Sequence, residues 1–156
     1  MLAPLSLVLG SAEFHMTLLY LDTSALARLY TLEPGHEKVR AAQAAASGDI
    51  THAITYVELH SALAGRKRRR AISGRAYQTA VRDIESDWLT IRHIATDDQL
   101  LQDAARLAQA HPLRAYDAVH LAAAQAIAPL GIQFMTFDLT LRSVAEAVMP
   151  GQVWTP

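Results

Sequence analysis

The sequence predicts an α/β domain with a mainly parallel sheet of four or five strands. Three observations carry this. Short apolar or β-branched runs alternate with longer segments of helical apolar spacing. The first run, Leu18–Leu21, is apolar at all four positions, as a strand covered on both faces requires. An acid follows the first and the last of the main runs, Asp22 and Asp138, where open α/β sheets place their ligands.

The elements follow in order. After the first strand, Thr23 or Ser24 is expected to cap a helix carrying Ala25, Leu26, Leu29 and Tyr30. Glu33-Pro34-Gly35 punctuates, and an alanine-rich helix spans about residues 36–46. Ser47-Gly48-Asp49 reads as a turn, and residues 50–55 as the second strand. Thr55, with Glu58 three residues on, matches a capping box opening the third helix. That helix runs into five consecutive cations at residues 66–70, whose mutual repulsion ends it. Ser73 opens a helix over about residues 74–86, and residues 88–94 alternate like a third strand. Thr96-Asp97-Asp98 caps a helix whose stripe is Leu100, Leu101, Ala104, Ala105, Leu107 and Ala108. His111-Pro112 stops it. A strong helix follows over about residues 115–128, then the fourth strand at 132–136 and a helix from about 139 to 147. Residues 152–154 are candidates for a short fifth strand.

A chain of 156 residues suits one domain, and its apolar content of 51% is enough for a core. A net charge of −1 gives no bulk signal for nucleic acid. The lack of cysteine excludes disulfides and thiolate zinc sites. No apolar run reaches the length of a membrane span, so a cytoplasmic protein without membrane attachment is expected. Residues 1–15 are apolar at first but have no basic n-region. They contain Gly10-Ser11, Glu13-Phe14 and His15-Met16, the dipeptides of common cloning sites. They read as an expression leader, with the domain occupying residues 16–156.

Four acids occupy equivalent local positions. Asp22 and Asp138 each follow a strand, while Glu58 and Asp117 lie in the first turns of helices. In a parallel sheet the carboxyl ends of strands and the starts of helices share one edge. The four can therefore converge on one cleft. Converging carboxylates repel, and some stay protonated unless a cation neutralises them. Oxygen-only donors suit Mg²⁺, with Mn²⁺ as a substitute. Such ions activate water and offset charge at the leaving oxygen of a phosphate ester. Each acid alone also has an ordinary explanation, since the helix dipole favours acids at helix starts.

Tyr20-Leu21-Asp22-Thr23-Ser24-Ala25-Leu26, Tyr56-Val57-Glu58-Leu59, Tyr116-Asp117-Ala118-Val119-His120-Leu121-Ala122 and Thr136-Phe137-Asp138, in that order and at those separations, resemble the PIN domain. More closely, they resemble the VapC toxins of VapBC toxin–antitoxin modules. The resemblance implies a single PIN-like α/β/α sandwich and a Mg²⁺-dependent endoribonuclease. It implies a homodimer silenced by a VapB-type antitoxin, and metal ligands at Asp22, Glu58, Asp117 and Asp138. Phe137 departs from the smaller residue often found there, which touches packing and not the acids.

Secondary features surround this set. Thr23, Ser24 and Thr136 can orient water or phosphate, although turn and cap bonding explains Ser24 better. His120, three residues after Asp117 on one helix face, can support the acids or simply pack. Arg66, Arg68, Arg69, Arg70 and Arg114 are candidates for RNA phosphates, and Tyr56 for a base or the core. An aspartyl-phosphate mechanism of the haloacid-dehalogenase type wants a second acid two residues after Asp22, where Ser24 stands. A non-catalytic RNA- or partner-binding module on the same fold would be marked by a missing acid, and none is missing.

Overall fold

The computed structural model describes residues 17–155. The expectation of a leader at residues 1–15 lies outside them. Four strands, β1 (Leu18–Leu21), β2 (Gly48–His52), β3 (Arg92–Ile94) and β4 (Ile132–Met135), form one parallel sheet in the order β3-β2-β1-β4. Helices α1 (Thr23–Thr31), α2 (His36–Ala45), α3 (Ile54–Arg68), α4 (Gly74–Trp88), α5 (Asp98–Ala110), α6 (Ala115–Ile127) and α7 (Leu139–Val148) connect the strands.

The period of two along the strands builds the two layers. On β1, Leu19 and Leu21 point to one face, where they meet Leu26, Val39, Leu59 and Ile84 of α1 to α4. Tyr20 points to the other, joining Phe134, Leu100, Leu121 and Leu141 beneath α5 to α7. The central strand is thus buried on both sides, and helices cover both faces of the sheet. Because β4 lies against β1 on the side away from β2, the strand order reverses between β1 and β4. That reversal is the crevice where open α/β sheets bind ligands, and Asp22 and Asp138 flank it.

Several local expectations need correction. The first helix is capped by Asp22 itself, whose Oδ1 accepts from the Ala25 N–H at 2.8 Å, not by Thr23 or Ser24. The chain bends at residues 46 and 47 and not over 47–49, since β2 already begins at Gly48 and ends at His52. Thr55 caps nothing. It is buried inside α3, bonded through its hydroxyl to Thr51 Oγ1 at 2.7 Å, while His52 Nδ1 accepts from the Ile54 N–H at the helix start. Glu58 is therefore free of a capping box. Trp88 belongs to α4, one turn past Ile84, and the third strand is only Arg92–Ile94. On α5, Leu100 and Ala104 are buried, but Leu101, Ala105 and Ala108 are exposed, so the stripe is narrower than expected. Residues 152–154 add one isolated bridge, Phe134 to Val153, and the described sheet stays at four strands.

Gly35 shows how α1 is joined to α2. Its φ of +96° suits glycine, and a Cβ there would lie 2.6 Å from the Phe137 ring, which also carries the Arg28 guanidinium on its face. Gly35→Ala should lower the unfolding free energy by roughly 1–3 kcal/mol, measured from urea denaturation midpoints. Shrinking the ring as well, in Gly35→Ala with Phe137→Leu, should leave the conformational part of that loss.

Candidate active site

Asp22 is the innermost member of the site. It follows the buried strand β1 and is 3% exposed. Its Oδ1 accepts from the Ala25 N–H and from Ser24 Oγ at 2.7 Å, and its Oδ2 accepts from Thr136 Oγ1 at 2.6 Å. Burial pushes its carboxyl above the ordinary aspartate range; the neighbouring His120 and the bonds from Thr136, Ser24 and Ala25 pull the other way without cancelling the shift. Ser24 in turn accepts from the Phe137 N–H at 2.8 Å, so it ties β1 to the segment after β4.

Glu58 reaches the site from the second turn of α3 and not from the first turn expected, because the helix already begins at Ile54. Its Oε2 accepts from Thr23 Oγ1 and stands 2.9 Å from His120 Nε2. Burial pushes this carboxyl up, but the bonds from His120 and Thr23 outweigh it, and the net shift is downward. Asp138 caps α7 through Oδ1, which accepts from the Leu141 N–H at 2.9 Å, and its own N–H donates to Thr136 Oγ1. Asp117 projects from the first turn of α6, where the helix dipole favours a carboxylate.

Four elements thus bring Asp22, Glu58, Asp117 and Asp138 to one cleft of about 220 Å³, lined also by Thr23, Ser24, Arg114 and His120. Arg114 lies across it. Its Nε donates to Asp117 Oδ2 at 2.7 Å and its Nη2 to Asp138 Oδ2 at 3.2 Å. Those bonds and charges raise the guanidinium pKa still further. Arg114 was expected at an RNA phosphate; here it is a counter-cation to two of the acids. Its side chain is 76% exposed, so the fork can leave without opening the core.

The donor set fits a hard divalent cation: four carboxylates, adjacent hydroxyls and no thiolate. Among the described residues no three His, Asp or Glu side chains already stand as a cage around one point. Two of the acids, Asp117 and Asp138, are bonded to Arg114 instead.

Arg66, Arg68, Arg69 and Arg70 are not brought to the cleft. Arg66 and Arg68 lie two turns or more beyond Glu58 on α3, roughly 12 Å or further at 1.5 Å per residue, and Arg69 and Arg70 follow the helix end. Arg66 pairs with Glu33, and the other three are exposed. Tyr56 is half-buried at the surface, donating to Glu85 at 2.6 Å and packing on His60 and Trp88, away from the acids. Sequence reasoning undervalued Ser24 and passed over Tyr20 and His52. The signal for Tyr20 was available: at two residues before Asp22 it shares that residue's side of β1.

The family model of the PIN domain matches residues 19–147, and the chain belongs to the PIN-domain family. Ribonuclease VapC45 of Mycobacterium tuberculosis (strain CDC 1551 / Oshkosh) is 33% identical to it over 142 residues, covering 88% of this chain and 99% of the relative. Among solved structures, a toxin–antitoxin complex from Klebsiella pneumoniae superposes with a TM-score of 0.62 at 21% identity, covering 88% of this chain and 97% of that one. VapC20 of M. tuberculosis, a sarcin–ricin loop cleaving toxin, gives 0.61 at 19% identity, covering 81% and 94%. These two share the fold. No described helix is long and apolar enough to cross a membrane.

His52 sits behind the cleft, its ring 6.3 Å from that of His120. Burial, then the neighbouring His120, pulls its pKa from 6.5 down to about 4. Folding therefore favours the neutral ring. Its contribution to stability is complete above pH 6.5 and is lost as pH falls from there through about 4. In EDTA-treated protein, unfolding free energy should drop more steeply over this window in wild type than in His52→Asn. Parallel curves would contradict the assignment.

Proposed function

We propose that this protein is a Mg²⁺-dependent endoribonuclease that hydrolyses RNA phosphodiester bonds, with Mn²⁺ able to substitute. We read it as the toxin of a toxin–antitoxin pair, acting in the cytoplasm as a homodimer and held silent by a VapB-type antitoxin. The observation that carries the reading is the convergence of four carboxylates from four separate elements on one cleft beside a buried strand end. The names of the relative as a ribonuclease and of the structural neighbours as toxins support the substrate class and the partner.

Asp22, Glu58, Asp117 and Asp138 would hold the ion, which supplies Lewis acidity and a water of lowered pKa. The remaining work belongs to the chain. Ser24, Thr136 and the Ala25 N–H keep Asp22 in one orientation, so its charge is directed and not merely tolerated. Thr23 and His120 do the same for Glu58. Arg114, released from Asp117 and Asp138, can donate two parallel N–H bonds to non-bridging phosphate oxygens. Arg68, Arg69 and Arg70, exposed at the far end of the Glu58 helix, extend the basic track for a longer RNA.

Asp22→Asn and Asp117→Asn should each reduce Mg²⁺-dependent RNA cleavage to background while the fold survives. EDTA should abolish wild-type activity and Mn²⁺ restore it. The raised pKa of Asp22 means that its ionised form is a cost to the metal-free fold at neutral pH. Asp22→Asn, which keeps a cap-competent side chain, should therefore melt no lower than wild type in EDTA. Full cleavage by either purified variant, or by wild type in EDTA, would overturn the metal-site reading.

A further inference from the structure

We propose that Tyr20 is a positioning residue of this cleft, acting through His120 to commit one oxygen of Glu58 to the protein and leave the other to the ligand. The role rests on the nuclease reading above.

Tyr20 is wholly buried, and its hydroxyl lies 3.1 Å from His120 Nδ1. The ring alone satisfies the packing: it meets Phe134 at 5.3 Å and the edge of His120 at 6.1 Å. Phenylalanine would fill the same space, so the hydroxyl is there for hydrogen bonding. On the far side of the imidazole, Nε2 lies 2.9 Å from Glu58 Oε2 and 3.1 Å from Thr23 Oγ1. The Thr23 proton is directed at Glu58. Nε2 thus faces lone pairs on both oxygens and must carry a proton. In the neutral ring Nδ1 is then an acceptor, and Tyr20 is its donor. The opposite tautomer would set an Nε2 lone pair against a carboxylate and leave the Tyr20 proton buried without an acceptor.

Both bonds to Glu58 fall on Oε2. Among the described residues none falls on Oε1. The carboxylate is therefore anchored through one oxygen and open at the other. Loss of such an outer partner typically costs about 10- to 100-fold in metal affinity or activity.

The test uses metal-free full-length protein with ¹⁵N-labelled histidine, and long-range ¹H–¹⁵N correlation to read the His120 tautomer. Wild type should show the Nε2–H form with a hydrogen-bonded Nδ1. Tyr20→Phe should shift the Nδ1 signal toward an unbonded nitrogen and admit the second tautomer. It should lower kcat for RNA by about 10- to 100-fold with KM unchanged. A purely packing role would lower the melting temperature while leaving the tautomer and kcat alone. His120→Gln places an amide N–H where Nε2–H stood. It should keep more activity than His120→Leu, and adding Tyr20→Phe to it should change kcat no further. An Nδ1–H wild type would overturn the proposal, as would unchanged tautomer and kcat in Tyr20→Phe, or an equal kcat loss in both backgrounds. If wild type cleaves no RNA, the nuclease reading fails, and the tautomer of wild type and Tyr20→Phe decides the Tyr20–His120 linkage by itself.

Discussion

Repulsion among carboxylates crowded at the edge of a sheet is the constraint on which the rest of this structure depends. Asp22 is almost fully buried at the end of a strand covered on both faces, and burial makes its charged form costly. Three further acids share its cleft. The surrounding chemistry is a set of answers to that cost. Hydroxyls of Ser24 and Thr136 and a helix N-terminal amide bond Asp22, a threonine and a histidine bond Glu58, and a forked guanidinium spans Asp117 and Asp138. None of these neutralises the whole set, which is why a cation of higher charge density fits the remaining deficit.

The topology explains why the acids meet. Reversal of strand order between β1 and β4 opens a crevice at the carboxyl edge, and α3 and α6 both begin at that edge. The same segments knit the two core layers together. Ser24 receives the Phe137 N–H from beyond β4, and Thr51 donates to the Leu21 carbonyl just before Asp22. Stability and site geometry are therefore coupled at β1.

Where sequence signals were strong and local, the fold was legible. The unbroken apolar run before Asp22, the alanine- and leucine-rich helix bearing Asp117, and the strand ahead of Asp138 all stand within a residue or two of expectation. The errors arose where two patterns competed. Thr55 and Glu58 match a capping box, yet the bond from the Thr55 hydroxyl to Thr51, and those from Thr23 and His120 to Glu58, outweigh that option. Trp88 fits an alternating strand and also fits one more turn of α4 past Ile84; in the helix it packs against the Tyr56 and His93 rings. The candidate acids were legible as a set because each follows a strand or lies within the first two turns of a helix. The partners that orient them were not, because Tyr20, His52 and Ser24 acquire their roles from residues up to a hundred or more positions away.

The most direct test is anomalous diffraction from crystals equilibrated with Mn²⁺. A single cation-binding cleft built by these four acids predicts an anomalous peak bounded by Asp22, Glu58, Asp117 and Asp138. It also predicts that Arg114 has turned away from Asp117 and Asp138. A cleft without a peak at saturating Mn²⁺, with Arg114 still bridging the two aspartates, would contradict it.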